Sequence, residues 1–106
     1  MRRRLVKQTW SGFSEAERDQ IKLGLATFRV LIIQNFSPDP GQLEAVSQRL
    51  DYLSAAVDRL NKFDWKGAAL STLIGISTTL TLDTDKGRQL YGLFQQALSS
   101  LMHLLR

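Results

Sequence analysis

Apolar side chains recur at intervals of three and four residues along most of the chain, the spacing that is typical of helices with one buried face. Breaks rich in proline, glycine and aspartate interrupt this pattern at Ser37–Gly41 and Leu82–Gly87, and a weaker break lies at Asn61–Lys66. The pattern therefore predicts an all-α bundle of about four helices, without strands. These helices are expected over residues 15–36, 40–62, 65–82 and 85–105.

The first predicted helix begins after Ser14, because Glu17 three residues later completes a capping box. It must end before Pro38, since a residue that precedes proline is pushed out of the α region. Its main apolar positions advance in steps of four, three and four and share one face: Ile21, Leu25, Phe28 and Ile32. Further apolar residues widen this face, so neighbours are expected to cover the helix on more than one side.

The second predicted helix carries the most regular pattern in the chain. Asp39 is placed as its N-cap, Pro40 as its first residue and Gln42 as the partner in a second capping box. Apolar residues then follow at the heptad spacing of a coiled coil, and we call them the heptad seam: Leu43, Val46, Leu50, Leu53, Val57 and Leu60. Few charges flank the seam, which favours packing within a bundle over a free-standing coiled coil. The seam is also a candidate contact surface for oligomerisation.

The third predicted helix, expected to begin at Asp64 and end near Asp83, has no charged residue at its sixteen positions 67–82. One side is apolar and is expected to contact the chain's own bundle through Leu70, Leu73, Ile74, Ile76 and Leu80. The other side holds small neutral residues, which we call the small-residue face: Ser71, Thr72, Gly75, Thr78 and Thr79. Because small residues permit the close approach of another helix, this face is the expected contact with a second molecule.

A transmembrane helix is the obvious alternative for such an uncharged segment. At a rise of 1.5 Å per residue its length is about 24 Å, whereas the hydrocarbon core of a bilayer is about 30 Å thick. A lone span is therefore excluded, and the hydroxyl groups of the segment lower its hydrophobicity further. Burial within a bundle or an oligomer is the favoured interpretation, and direct contact with lipid is the alternative.

The fourth predicted helix continues this lack of charge, with no formally charged side chain from Gln89 to Leu105. Its C-terminal apolar face consists of Leu90, Phe94, Leu98, Leu101 and Leu104. Two consecutive helices with nearly uncharged surfaces are unusual for a monomer, which normally keeps its apolar patches small. The final helical hairpin is therefore expected to take part in association.

The net charge of +4 is concentrated in the first ten residues, where basic side chains occur without an acidic neighbour. They are Arg2, Arg3, Arg4 and Lys7. The remaining ten basic residues are matched by ten acidic ones. The sequence thus predicts a basic arm over residues 1–13 and a single helical-bundle domain over residues 14–106. The arm is a candidate contact for a polyanion, either nucleic acid or anionic lipid, and a solvated terminus is the simpler interpretation.

Residue types that carry catalysis or bind metals are scarce. There is no cysteine, which excludes disulfides, cysteine-based zinc sites and thiol chemistry. The single histidine, His103, has no acidic neighbour in sequence. The segment Asp83–Gly87 resembles the start of an EF-hand loop, but Phe94 stands where the bidentate glutamate belongs, so we interpret it as a loop that caps the next helix. We expect no catalytic residue, no cofactor, no metal site and no enzymatic activity.

The segment VDRLNKFDWKGAALSTLIGISTTLTLDTDKGRQLYGLFQQAL, residues 57–98, resembles the C-terminal helical tail of bacterial abortive-infection proteins of the AbiTii type and related defence-associated proteins. The shared features are an amphipathic helix ending in a basic-aromatic turn, an Asp-Trp pair, an uncharged helix, and an acidic loop with Gly-Arg before a final apolar helix. The resemblance covers less than half of the chain and includes no catalytic residue. It implies a bacterial protein whose tail mediates assembly or membrane contact in a defence setting.

These observations lead to one main hypothesis, a non-enzymatic helical interaction protein that associates with itself or acts as a small subunit with another helical protein. The first alternative is a membrane-active effector whose uncharged C-terminal hairpin inserts into lipid or lies on it. The second is nucleic-acid binding through the basic arm. A cytoplasmic location, with membrane association as the alternative, is expected because cysteine is absent and no apolar signal-peptide region follows the basic start.

Overall fold

The computed structural model describes residues 12–99 of the 106-residue chain. In that range it contains four helices: α1 (Glu15–Phe36), α2 (Pro40–Ala56), α3 (Lys62–Thr79) and α4 (Thr84–Ala97). No strand occurs within these residues. The prediction of an all-α bundle of about four helices is confirmed.

Polar side chains cap the first turn of each helix. The Ser14 hydroxyl accepts a hydrogen bond from the Glu17 N–H at 3.1 Å, and the Glu17 carboxylate accepts one from the Ser14 N–H at 2.8 Å. Asp39 and Gln42 form the same reciprocal pair at the start of α2, with distances of 2.7 and 3.1 Å. Both predicted capping boxes are confirmed. Each satisfies N–H groups that the first turn of a helix leaves without backbone partners.

The junction between α2 and α3 differs from the prediction. α2 ends at Ala56 instead of near residue 62, and a short turn leads to Asn61, whose side chain accepts a hydrogen bond from the Asp64 N–H at 2.7 Å. Asn61 has an extended backbone (φ −75°, ψ 174°), so a helix cannot run through it. The predicted start of the third helix at Asp64 is therefore wrong, and Asp64 lies inside its first turn.

Two residues with a left-handed backbone lie at helix ends on the same side of the bundle. Ser37, with φ 45°, follows α1, and Thr81, with φ 51°, follows α3. A helix cannot continue through this region of backbone space, which a β-branched residue rarely adopts. α3 accordingly ends at Thr79, before the predicted residue 82. α4 ends at Ala97 instead of near residue 105.

α1 packs against both α2 and α4, while α3 packs mainly against α2. The predicted apolar face of α1 is buried in the core of the bundle: Ile21, Leu25, Phe28 and Ile32. Phe28 meets Phe94 of α4 edge to face, with ring centroids 5.3 Å apart. Such aromatic pairs add about 0.5–1.5 kcal/mol beyond the area that they bury.

Phe13 belongs to this core, although the sequence placed it in the basic arm. The side chain is buried, and its ring meets Trp65 edge to face with centroids 5.8 Å apart. Lys62 lies above the same ring, with Nζ 5.9 Å from the centroid. The predicted boundary at residue 13 is corrected accordingly. Residues 1–11 of the predicted arm lie outside the described residues.

Trp65 joins the end of α2 to the start of α3. Its side chain is fully buried, and its Nε1–H donates a hydrogen bond to the Leu53 carbonyl oxygen at 3.0 Å. In a continuing helix this carbonyl would accept a hydrogen bond from the Val57 N–H. That N–H donates instead to the Ser54 carbonyl oxygen at 3.4 Å. The indole thus satisfies a carbonyl that the end of α2 leaves without its helical partner.

We expect Trp65→Phe to lower the free energy of unfolding by about 2–4 kcal/mol, because it removes the donor to a buried carbonyl and leaves a cavity. Urea unfolding followed by far-UV circular dichroism measures this change. Phe63→Leu is the control, since Phe63 is exposed and its replacement is expected to change the stability by less than about 0.5 kcal/mol. Equal stability losses in the two variants would contradict the role given to Trp65.

Two glycines in helices differ in what surrounds them. A Cβ placed on Gly24 of α1 would collide with the Leu98 side chain and would lie 3.1 Å from the Ala97 carbonyl oxygen. A Cβ placed on Gly67 of α3 would meet no atom within 4 Å. The glycine at position 24 therefore permits the end of α4 to lie against α1.

Gly24→Ala is expected to destabilise the protein by about 1–3 kcal/mol through overpacking, although alanine is the better helix former. Gly67→Ala is the matched change in open space and is expected to stabilise by up to about 1 kcal/mol. Thermal unfolding of the two variants compares them directly. A Gly24→Ala variant more stable than the parent protein would contradict the close packing of α1 and α4.

Candidate functional site

Two apolar side chains of α3 lie outside the chain's own core. Leu70 is 48% exposed and Ile74 is 68% exposed, so the prediction that they contact the bundle is wrong. The other residues of that predicted face are buried: Leu73, Ile76 and Leu80. Trp65 explains the difference, because it belongs to the buried face of α3. Ile74 follows nine residues later, which is two and a half turns, and so lies on the opposite side of the helix.

The exposed residues border an open groove of about 320 Å³ between α3 and α4, which we call the apolar groove. Tyr91 of α4 lies on the other side of the groove and is also exposed. The full lining is Leu70, Leu73, Ile74, Ser77, Gly87, Leu90 and Tyr91, and none of these residues is charged. The groove therefore offers apolar contact area to a partner and no ionic contact.

Small residues lie where α3 and α4 meet beside this groove. A Cβ placed on Gly87 would lie 3.6 Å from the Ser77 hydroxyl oxygen, which is ordinary van der Waals contact. Neither residue carries a bulky side chain, and both line the open groove beside the projecting Ile74. The groove thus combines a projecting apolar side chain with space that an incoming side chain can enter.

The heptad seam packs inside the chain. Its four central residues are at most 4% exposed and belong to the core: Val46, Leu50, Leu53 and Val57. Leu43 and Leu60 at its ends are half-buried. This burial agrees with packing within a bundle. The four central residues have almost no free surface, so the expectation that the seam as a whole contacts a second molecule is wrong.

The small-residue face is divided between the interior and the surface. Thr72 is 7% exposed, and the Gln42 side-chain amide donates a hydrogen bond to the Thr79 carbonyl oxygen at 3.3 Å. A Cβ on Gly75 would lie 2.5 Å from Nη1 of Arg49, which belongs to α2. The helix that approaches this part of the face is therefore the chain's own α2. The prediction that a second molecule contacts this part of the small-residue face is wrong. The exposed remainder is Ser71 and Thr78.

Three residues of the predicted C-terminal apolar face are buried in the core: Leu90, Phe94 and Leu98. The other two, Leu101 and Leu104, lie outside the described residues, as does His103. The predicted polyanion contacts also lie outside them: Arg2, Arg3, Arg4 and Lys7. Contact of the arm with nucleic acid or lipid stays a prediction.

The described residues bring no candidate metal-binding cluster together. Among residues 12–99, no group of three or more histidine, cysteine, aspartate or glutamate side chains is placed to hold a metal ion. Asp83 of the EF-hand-like segment caps α4, and its carboxylate accepts a hydrogen bond from the Lys86 N–H at 2.8 Å. The interpretation of this segment as a capping loop is confirmed. In the same part of the chain, no helix has both the length and the hydrophobicity needed to cross a bilayer.

No family model, curated protein or solved structure matches the chain. The resemblance of residues 57–98 to AbiTii-type tails accordingly stays a prediction. Burial and geometry identify the candidate site, and they add Tyr91 of α4 to the residues that border it. The signal that could have revealed this surface is Trp65, since placing it on the buried face puts Ile74, nine residues later, on the opposite side of the helix.

Proposed function

We propose that the protein is a non-enzymatic helical interaction protein that forms homo-oligomers through the apolar groove. The observation that carries this proposal is the exposure of Leu70, Ile74 and Tyr91 around an uncharged groove. Apolar surface contributes about 25 cal/mol per Å² when it is removed from water, so a partner that covers the groove is favoured. Contiguous exposed apolar surface is a common feature of protein contact sites.

A second copy of the chain is the proposed partner, because the groove contains both a projecting apolar side chain and a space that can receive one. In an isologous dimer the same surface patch pairs with itself, so a projection and a matching gap must lie on one patch. Ile74 is the projection, and the gap beside Ser77 and Gly87 receives it from the other copy. The absence of charge at positions 67–82 removes like-charge repulsion from this contact.

The proposed setting is the bacterial cytoplasm, where the protein works as a homo-oligomer or as a helical subunit of a larger complex. The resemblance of residues 57–98 to AbiTii-type tails supports an assembly role in defence. Within this setting the apolar groove is the contact surface, and the heptad seam holds the subunit together internally.

Size-exclusion chromatography with light scattering tests the proposal. The parent protein is expected to dimerise at micromolar concentrations, and Ile74→Glu is expected to weaken the dimer at least about tenfold by placing a charge in the contact. Leu23→Glu on α1 is the matched control, because Leu23 is 69% exposed and lies away from the groove. This variant is expected to dimerise like the parent protein.

Two outcomes would contradict the proposal. If the parent protein stays monomeric throughout the micromolar range, it does not form the proposed dimer. A dimer that survives Ile74→Glu but is lost in Leu23→Glu uses another surface. Circular dichroism spectra of both variants exclude unfolding as the cause, since each substitution replaces an exposed side chain.

Contact with an anionic membrane surface is the second candidate function, and one observation favours it. Phe63, at 79% exposed, lies on the outer face of α3 that also carries Leu70 and Ile74. Lys66, one turn after Phe63, adds a basic group near this end of the face. Exposed aromatic and aliphatic residues beside a basic residue are typical of helices that lie on lipid.

Flotation with vesicles that contain phosphatidylserine separates the two candidates. The dimer proposal expects the protein to stay in the soluble fraction and Phe63→Ser to leave dimerisation unchanged, because Phe63 does not line the groove. Membrane contact instead expects flotation that both Phe63→Ser and Ile74→Glu reduce. Flotation that both variants reduce, without a dimer in solution, would support membrane contact and contradict dimerisation through the apolar groove.

A further inference from the structure

A second groove, of about 580 Å³, lies between α2 and α3 and has a different chemistry. Its polar lining consists of Gln48, Arg49, Tyr52, Ser71 and Thr72, and two alanines supply apolar surface. All five polar side chains can donate hydrogen bonds, and none of the lining residues is a carboxylate. The groove therefore offers one positive charge and several donors without an internal negative partner.

Arg49 is the charged group of this groove. The ion pairs among residues 12–99 use Arg18, Lys22 and Lys62, and none of them involves Arg49. Its guanidinium lies against α3 at Gly75, where a Cβ would lie 2.5 Å from Nη1 and 2.8 Å from Cζ. The missing side chain at Gly75 thus provides the space in which the guanidinium lies.

Thr72 adds a hydroxyl group to the lining of the groove. Among the buried residues described, Thr72 is the polar one, at 7% exposed, and it lines the groove. No buried side-chain nitrogen or oxygen atom among the described residues lacks a hydrogen-bond partner, so the Thr72 hydroxyl is not an orphaned polar group. The groove thus places a hydroxyl and the Arg49 guanidinium in one lining, where both can donate hydrogen bonds to a ligand.

A second cation lies next to the groove. Cζ of Arg59 is 5.7 Å from the ring centroid of Tyr52, within the range of a cation–π contact. Tyr52 lines the groove and Arg59 does not, so this second guanidinium contributes positive charge from outside the lining. Both positive groups favour a ligand with negative charge.

We propose that this groove binds a small organic anion, whose carboxylate or phosphate group is held by the Arg49 guanidinium. The planar guanidinium matches these groups because it donates two parallel hydrogen bonds to them. The hydroxyls of Ser71 and Thr72 are further donors, and the alanines and the Tyr52 ring contact the apolar part of the ligand. The volume lies within the range of small-molecule sites. This site lies on a different side of α3 from the apolar groove and does not depend on the proposed dimer.

Titration followed by two-dimensional NMR of the backbone amides tests the site, with benzoate, phenyl phosphate and neutral benzamide as probes at constant ionic strength. Benzoate, phenyl phosphate or both are expected to shift the amide signals of Gln48, Ser71 and Thr72 saturably, and benzamide is expected to leave them unchanged. Arg49→Gln is expected to weaken binding at least about tenfold. Arg49→Lys is expected to weaken it less, since lysine keeps the positive charge but lacks the planar group that donates two parallel hydrogen bonds. Arg88→Gln, at an exposed position on α4, is the matched control and is expected to bind normally.

Gly75→Ala distinguishes a built site from a chance surface charge. It keeps Arg49 and favours the helix, but its Cβ displaces the guanidinium, so binding is expected to weaken while stability is kept or raised. Three results would each overturn the proposal. They are the absence of saturable shifts with either anion, equal binding of benzamide and benzoate, and unchanged binding in Arg49→Gln.

Discussion

The hydrogen bond from the Trp65 indole to the Leu53 carbonyl sets how α2 and α3 meet. A buried polar group without a partner costs about 1–3 kcal/mol, and this single contact satisfies a donor and an acceptor together. It also fixes the rotation of α3 about its own axis, because the indole must face the end of α2. Phe13 then packs on the indole, so the segment before α1 is held by the same residue.

Once this rotation is fixed, the surface chemistry of α3 follows. Ala69 and Ile76 face the core with Trp65, whereas Leu70 and Ile74 emerge on the side towards α4. Thr72 emerges partly on the side towards α2, beside Arg49. One uncharged helix therefore borders an apolar groove on one side and a positively charged groove on the other, while its third side supports the core.

Much of the fold is predictable from the sequence, because capping boxes and apolar spacing are local signals. Ser14 with Glu17 and Asp39 with Gln42 locate the starts of α1 and α2 without knowledge of the tertiary structure. The start of α3 is less determined. Asn61 and Asp64 are both good N-caps one turn apart, and the choice between them depends on where α2 ends against the rest of the bundle.

The exposed surfaces of α3 depend on tertiary packing more than the helix starts do. Apolar residues cover more of α3 than its neighbours can bury, so the pattern alone does not decide whether Leu70 and Ile74 face inwards or outwards. Arg49 and Gly75 are far apart in sequence, and no local signal indicates that a guanidinium of α2 lies on a glycine of α3. Both surfaces depend on the packing of two helices, which the residues of either helix do not specify separately.

The left-handed residues Ser37 and Thr81 have a consequence for the dynamics of the bundle. Both are non-glycine residues, and holding each of them in this conformation costs about 1–3 kcal/mol, so the end of the bundle with these two turns carries strain. The opposite end is closed by Trp65, Phe13 and the contact of α4 with Gly24. Local opening requires less free energy where strain is released, so protection of the backbone amides against hydrogen exchange is expected to fall from the tryptophan end towards the two strained turns.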